Sequence, residues 1–258
     1  MKNSIKISFI TLLLLFHSST MIDGNQRSTE STIRTELFHN RGYERRSRST
    51  FSALNYGSTF QSLSLILKLI YIHDYSQDTN VLKTIGLLEL TWIDELLRWN
   101  KSNYDNIDQI RIRLNEVYHP DIMLQNSVDN RNLLDKGEDW HNSDLFLYST
   151  GMVYCLPLIT METICEPIDD EQEIINCPFM FVSWMIDINH FNLTSTDLLQ
   201  TNSKVKQYLL ESNPPFLIIN SSIELRIDPL LDNPQLIYHF RLRRLTNLNV
   251  KSSIIEEI

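Results

Sequence analysis

Several stretches of the chain alternate between apolar and polar side chains. Every second residue from 63 to 71 is leucine or tyrosine, and residues 110–114 read Ile-Arg-Ile-Arg-Leu. Residues 236–243 place leucine, tyrosine and phenylalanine on one side and isoleucine, histidine and arginine on the other. Because successive side chains of a strand point to opposite faces, these stretches are predicted to be half-buried β-strands.

Short apolar segments continue this pattern along the rest of the chain. They cover residues 86–92, 152–156, 161–165, 179–184 and 216–219, with clusters of Asn, Asp, Pro and Ser between them. Before them, residues 28–38 begin with an N-cap candidate that a glutamate follows, which predicts a short helix. Many short strands separated by turn residues are typical of an antiparallel sandwich or barrel.

The N-terminus has the composition of a secretory signal peptide. A basic start, an apolar run from Ile7 to Phe16 and then small polar residues occupy positions 1–24. The run is short for a membrane span, although an uncleaved anchor is the alternative. We therefore expect residues 25–246 to form one domain outside the cell, either secreted or at the extracellular face of the plasma membrane. Residues 247–258 form a tail that is too polar to span.

Charge and motif content exclude several classes of function. A net charge of -9 and a pI near 5.2 argue against nucleic acid and anionic membrane surfaces as partners. The 7 histidines show no metal-ligand spacing, and neither a Gly-x-Ser-x-Gly motif nor a phosphate-binding loop is present. We therefore expect no enzyme, no cofactor and no metal site.

The cysteines and the sequons agree with export. Cys165 and Cys177 are separated by eleven residues, and an oxidising compartment favours a disulfide between them, although their proximity by chance is the alternative. Cys155 would then be a free thiol. Sequons begin at Asn100, Asn192 and Asn220, and each is a candidate glycosylation site.

Three motifs follow one another in a fixed order. Residues 92–100 read Trp-Ile-Asp-Glu-Leu-Leu-Arg-Trp-Asn, residues 118–126 read Tyr-His-Pro-Asp-Ile-Met-Leu-Gln-Asn, and Trp184 follows Cys177 by seven residues. Over roughly residues 30 to 246 this order resembles the extracellular ligand-binding domain of the Cys-loop receptors, the pentameric neurotransmitter-gated ion channels, and the soluble acetylcholine-binding proteins.

The resemblance implies an all-β fold, an antiparallel β-sandwich of about ten strands with a short N-terminal helix. It also implies a homo- or hetero-pentamer of related subunits that binds a small molecule, a cation being one candidate, between adjacent subunits. The alternative is a secreted interaction module that associates with receptor subunits and modulates their assembly without binding ligand. The family's disulfide corresponds to Cys165 and Cys177, here with an acidic tip at residues 169–173 instead of Phe-Pro-Phe-Asp.

The resemblance also implies which residues form the ligand site. Trp184 corresponds to the central tryptophan of the family's principal face, and Gln125 and Asn233 stand at or near its tyrosine positions. On the complementary face Leu87 replaces a tryptophan, Glu89 lies on the same side of that strand, and Tyr154 and Leu156 also face the site. A cation would bind between Trp184 and Glu89. The alternative is that Trp184 is a core aromatic residue.

Other matching positions have structural rather than binding roles. The resemblance gives such roles to Trp92, Asp94, Trp99, Pro120 and Asp121, and Cys155 is expected to point into the sandwich. The family's arginine before the first membrane helix corresponds to Arg244, and Gln77 stands where its acidic partner would be.

Overall fold

The computed structural model describes residues 24–46, 61–128, 144–169, 173–183, 191–196, 216–229 and 232–245. A helix, α1, precedes the strands and continues into one wider helical turn, Thr35–Asn40. The elements are α1 Gly24–Arg34, β1 Gln61–Ser76, β2 Val81–Ile93, β3 Gln109–Arg113, β4 Ile122–Leu124, β5 Asp144–Tyr148, β6 Met152–Cys155, β7 Leu158–Ile164, β8 Glu166–Asp169, β9 Ile174–Ser183, β10 Phe191–Thr194, β11 Phe216–Ile227 and β12 Pro234–Arg244. The predicted all-β sandwich and its short N-terminal helix are confirmed.

The strands form two sheets. The seven-stranded sheet has the order β10-β1-β2-β6-β5-β3, with β7 also paired to β2. The five-stranded sheet has the order β11-β12-β9-β4, with β8 also paired to β9. The pairing of β10 with β1 is parallel, whereas the other pairs are antiparallel.

The core lies between the inward faces of the two sheets. From Val81 to Trp92, strand β2 alternates between half-buried and buried residues, so Leu82, Leu88, Leu90 and Trp92 pack inward. From the other sheet, Phe179 meets Phe240 edge to face at 5.6 Å between ring centroids, and Phe181 meets Tyr238 at 6.1 Å. Each such pair adds about 1 kcal/mol beyond its area burial.

Tyr238 joins the two sheets through its hydroxyl group. This group donates a hydrogen bond to the backbone oxygen of Leu65 at 3.0 Å and lies 2.9 Å from the hydroxyl of Ser195. Because a buried phenol is costly without partners, these bonds fix the position of β12 against β1.

Asp94 organises the turn that follows β2. Its side chain is fully buried and accepts hydrogen bonds from the Tyr43 hydroxyl at 2.5 Å and from the backbone nitrogen of Leu96 at 3.1 Å. Burial, together with the nearby Asp94 carboxylate, raises the pKa of Tyr43. Tyr43 therefore remains a neutral donor, which supports the structural role expected for Asp94.

The other positions expected to be structural are also packed. Trp92, Trp99 and Pro120 are buried. Asp121 is half-buried and accepts a hydrogen bond from the Ser183 hydroxyl at 2.7 Å.

Candidate functional site

The outward face of the seven-stranded sheet brings four of the expected ligand-site residues together. Leu90 pairs with Cys155 and Leu87 with Leu158, so one register runs along both β6 and β7. This register places Glu89 opposite Leu156, the first of the two residues between these strands. The break in the strand occurs at Pro157, which has no backbone N–H but accepts a hydrogen bond from Leu88 nitrogen at 2.8 Å.

Tyr154 extends this face, since it lies opposite Thr91 on the next outward position. Leu87, Glu89 and Tyr154 are half-buried, and Leu156 is 43% exposed. Because alternate residues of a strand share a face, Cys155 points the other way and is buried in the core, as expected. We call Leu87, Glu89, Tyr154, Leu156 and Leu158 the sheet-face patch.

Glu89 already has a cationic partner. The Lys68 ammonium lies 2.6 Å from Glu89 Oε2, and both side chains are about three-quarters shielded from solvent. Burial, followed by the charge of Glu89, raises the pKa of the Tyr154 hydroxyl. A cationic ligand at this face therefore has to compete with the Lys68 ammonium or share Glu89 with it.

Lys68 and Arg111 are two residues of this face that sequence reasoning missed. Tyr154 of β6 pairs with Phe146 of β5, which in turn pairs with Arg111 of β3. The Arg111 guanidinium carbon lies 5.8 Å from the Phe146 ring centroid. Such stacking is a cation–π contact worth about 0.5 to 1 kcal/mol at an exposed site. The Ile-Arg-Ile-Arg alternation in β3 was the available signal for Arg111, whereas Lys68 becomes relevant only once the register of β1 is known.

Gln125 and Asn233 lie in a second group, on the side of the five-stranded sheet. Gln125 Nε2 donates to Asp228 Oδ2 at 2.8 Å, and its Oε1 accepts a hydrogen bond from Gln235. Asn233 is buried and donates to the backbone oxygen of Ser183 at 2.7 Å. We call Gln125, Asp228, Asn233 and Gln235 the hairpin network, because it holds the β11–β12 hairpin to β4 and β9.

The hairpin network is buried and polar. Asp228, Asn233 and Gln235 are each at most 5% exposed, and Arg226 Nε donates to Gln235 Oε1 at 2.5 Å. Buried polar groups that are hydrogen-bonded hold their side chains in one geometry. Asp228 and Gln235 are further residues that sequence reasoning missed, since their partner Gln125 is more than a hundred positions away.

Trp184 falls outside the described residues. Its neighbour Ser183 ends β9, is buried, and contacts both Asn233 and Asp121. The expected site residues that the structure describes thus fall into two groups on different sheets of one chain, the sheet-face patch and the hairpin network.

The disulfide between Cys165 and Cys177 is present. It connects the segment between β7 and β8 to the middle of β9, so it closes the loop whose residues 170–172 lie outside the described residues. The third cysteine, Cys155, is a buried free thiol, and burial raises its pKa to about 12.

Thiol labelling is expected to distinguish the three cysteines. At pH 8 the native chain should take up no iodoacetamide, because Cys155 is buried and its pKa, raised to about 12, keeps it protonated. Unfolding without a reductant should release one thiol for labelling, and unfolding with a reductant should release all three. Peptide mapping by mass spectrometry gives the result, and modification of Cys165 or Cys177 in the unreduced chain would contradict it.

The three candidate glycosylation sites differ in their surroundings. Asn100 is exposed, and its Oδ1 accepts a hydrogen bond from Ser102 nitrogen at 3.1 Å. Asn220 is exposed on β11, whereas Asn192 is half-buried in β10. Glycosylation at these positions stays a prediction.

Over the described residues, no helix is long and apolar enough to cross a membrane. The same part of the chain contains no group of three or more His, Cys, Asp or Glu residues arranged to hold a metal ion.

Comparison with known proteins gives one family. The profile of the neurotransmitter-gated ion-channel ligand binding domain matches residues 30–246. Similar curated proteins include acetylcholine receptor subunit alpha-type acr-16 of Caenorhabditis elegans, 29% identical over 132 residues, which are 49% of this chain and 25% of the relative. Neuronal acetylcholine receptor subunit alpha-9 of Gallus gallus is 25% identical over 203 residues, 76% of this chain and 39% of the relative.

Acetylcholine receptor subunit delta of Gallus gallus is 26% identical over 219 residues, which are 84% of this chain and 39% of the relative. The matched part of the chain therefore spans between about a quarter and two fifths of the length of these relatives. The relatives are receptor subunits and not enzymes, in agreement with the expectation from the motif content.

Proposed function

Because the chain belongs to the family of neurotransmitter-gated ion-channel ligand-binding domains, we propose that it binds a small ligand between adjacent subunits of a ring. The domain would comprise residues 25–246 and act outside the cell, as a secreted protein or at the face of the plasma membrane. The whole relatives are much longer than this chain, so the proposal concerns the extracellular domain.

The observation that carries the proposal is the apolar character of the sheet-face patch. Leu156 is 43% exposed and Leu158 is 56% exposed, and both lie beside half-buried Leu87. Contiguous exposed apolar residues mark protein interfaces and ligand grooves, and here the Lys68–Glu89 ion pair adds charged groups to the apolar surface. The patch would be the complementary side of the site, and a neighbouring subunit would contribute Trp184, Gln125 and Asn233.

A small quaternary ammonium compound, acetylcholine, is the first ligand to test, since the relatives are named acetylcholine receptor subunits. Its ammonium group has no N–H to donate, so it would stack on Trp184 and share the negative charge of Glu89 with Lys68. Because the Lys68 ammonium already neutralises Glu89, we expect weaker binding than a fully aromatic site would give.

The second candidate is an interaction module that pairs with receptor subunits without binding ligand. Two contacts favour it: the ion pair of Lys68 with Glu89, and the hydrogen bonds of Gln125 to Asp228 and Gln235. Each of these groups would have to give up a partner before it could contact a ligand.

Calorimetric titration with acetylcholine separates the two candidates. Trp184→Ala is expected to weaken binding by about tenfold or more, because the ring supplies the cation–π contact. Glu89→Gln should weaken binding by a smaller factor. Glu162→Gln serves as the matched control and should leave binding unchanged, because Glu162 of β7 forms a comparable ion pair in the same sheet, with Lys83 of β2 at 3.1 Å.

If acetylcholine and a panel of other small neurotransmitters fail to bind the wild-type chain while it still associates with receptor subunits, the second candidate is correct. Equal affinity in the wild type and in Trp184→Ala would contradict the placement of the ligand.

A further inference from the structure

A cavity of about 270 Å³ lies at one end of the sandwich, away from the sheet-face patch. Three segments that are distant in sequence surround it. They are the β1–β2 hairpin, the disulfide-closed segment, which contributes residues of β8, Glu173 and the start of β9, and the outer ends of β11 and β12. The residues that matter for its chemistry are Tyr75, Asn80, Asp169, Glu173, Phe216 and Arg244.

One wall of this end cavity is aromatic. Phe216 is buried and meets Tyr75 edge to face, with 5.9 Å between the ring centroids. The Tyr75 hydroxyl donates a hydrogen bond to Asn80 Oδ1 at 2.9 Å, which fixes the orientation of the Tyr75 ring. A fixed pair of rings suits the apolar body of a small ligand, and ring faces also attract cations.

Glu173, another lining residue, provides a hydrogen-bond acceptor. Its Oε2 atom is shielded from solvent and accepts no hydrogen bond within the described part of the chain. An ionised carboxylate has acceptor sites only, so a shielded oxygen without a donor destabilises the folded chain. A donor from outside the chain would offset that cost.

The backbone of Glu173 has a strained conformation. Its φ is +51°, in the left-handed region that residues other than glycine seldom adopt. The backbone oxygen of Glu173 accepts a hydrogen bond from Arg244 nitrogen at 3.1 Å, which ties this strained residue to the end of β12. Strained residues that are held by their surroundings occur often at binding sites.

We propose that the end cavity binds a small organic cation with an aromatic or aliphatic body. Its ammonium group would donate to Glu173 Oε2, and its body would pack against Phe216 and Tyr75. Two carboxylates, Asp169 and Glu173, against the single guanidinium of Arg244 give the walls a net negative charge. The volume lies just below the usual range for small-molecule pockets, which limits the ligand to a small amine.

This site lies within one chain and is independent of the proposed site between subunits. A ligand there would connect the β1–β2 hairpin, the disulfide-closed segment and the end of β12. Because binding to the folded state alone stabilises that state, the ligand should raise the melting temperature of a single subunit.

Calorimetric titration of the full chain with phenethylamine tests the proposal. Glu173→Gln keeps the shape of the side chain and removes its charge, so affinity should fall by about tenfold or more. Glu166→Gln is the matched control, because Glu166 is an exposed acid on β8 outside the cavity, and it should bind as the wild type does. The neutral 2-phenylethanol and the anionic 3-phenylpropanoate should bind more weakly than the amine.

Each outcome decides the question. Absence of phenethylamine binding by the wild type, or equal affinity in Glu173→Gln, would overturn the proposal. If Glu173→Gln does not fold, Phe216→Leu removes the ring instead, and unchanged affinity in that variant would overturn the proposal equally. If Trp184→Ala still binds phenethylamine, the end cavity is supported even if acetylcholine never binds between subunits. If Trp184→Ala loses phenethylamine binding, the amine binds between subunits and the proposal is overturned.

Discussion

Gly151→Ala is expected to lower the free energy of unfolding by roughly 3 kcal/mol or more. Gly151 has a φ of +80°, and a Cβ built on it would lie 2.4 Å from the backbone oxygen of Asp94 and 3.0 Å from Arg98 Cγ. The backbone oxygen cannot move alone, because Asp94 nitrogen donates a hydrogen bond to Gly151 oxygen at 2.8 Å. The substitution would therefore disturb the turn around Asp94, with its bonds to Tyr43 and Leu96.

Gly42→Ala is the matched control for Gly151→Ala. Gly42 also has a positive φ, +63°, but a Cβ there meets nothing within 4 Å. Gly42→Ala should lower the free energy of unfolding only by the cost of the left-handed conformation, about 1 to 2 kcal/mol. Urea denaturation followed by tryptophan fluorescence measures both variants, and equal losses would show that the clash with Asp94 has no energetic weight.

Leu158→Glu is expected to dissociate the proposed ring into single chains. Leu158 is 56% exposed in the single subunit, so a glutamate there should fold normally. Within an interface the same carboxylate would lose its water beside Leu87 and Leu156, which costs several kcal/mol for an unpaired charge, about enough to weaken association a thousandfold.

Leu217→Glu controls for the introduced charge in the Leu158→Glu experiment. Leu217 is 43% exposed and pairs with Arg243, at the end of the β11–β12 pair that is farthest from the hairpin network. Light scattering should show an unchanged assembly for this variant. Dissociation of both variants to the same extent would mean that added charge, and not the position of Leu158, disrupts the ring.

The fold was largely predictable because most of its strands have one buried face. The alternation in β1, β2 and β12 reflects that geometry directly, and the structure extends those strands by a few residues at their ends. Strands β4, β5, β8 and β10 escaped prediction. Each has only three to five residues, so alternation over their length is too short to separate from chance.

The candidate site was less predictable, because it depends on contacts between distant residues. The resemblance indicated Glu89 and Gln125, but their partners Lys68, Asp228 and Gln235 follow only from strand register and hairpin geometry. The end cavity was equally hidden, since Tyr75, Glu173 and Phe216 come from three separate segments. Only the folded chain shows that Glu173 Oε2 is shielded without a donor in the described residues.

The molar mass of the chain expressed through the secretory pathway tests the central claim most directly. Size exclusion with light scattering, after removal of glycans, should give a mass near that of five chains, since the sheet-face patch would be buried against a neighbouring subunit. A single-chain mass that does not change with concentration would contradict the proposed ring and, with it, a ligand site between copies of this chain.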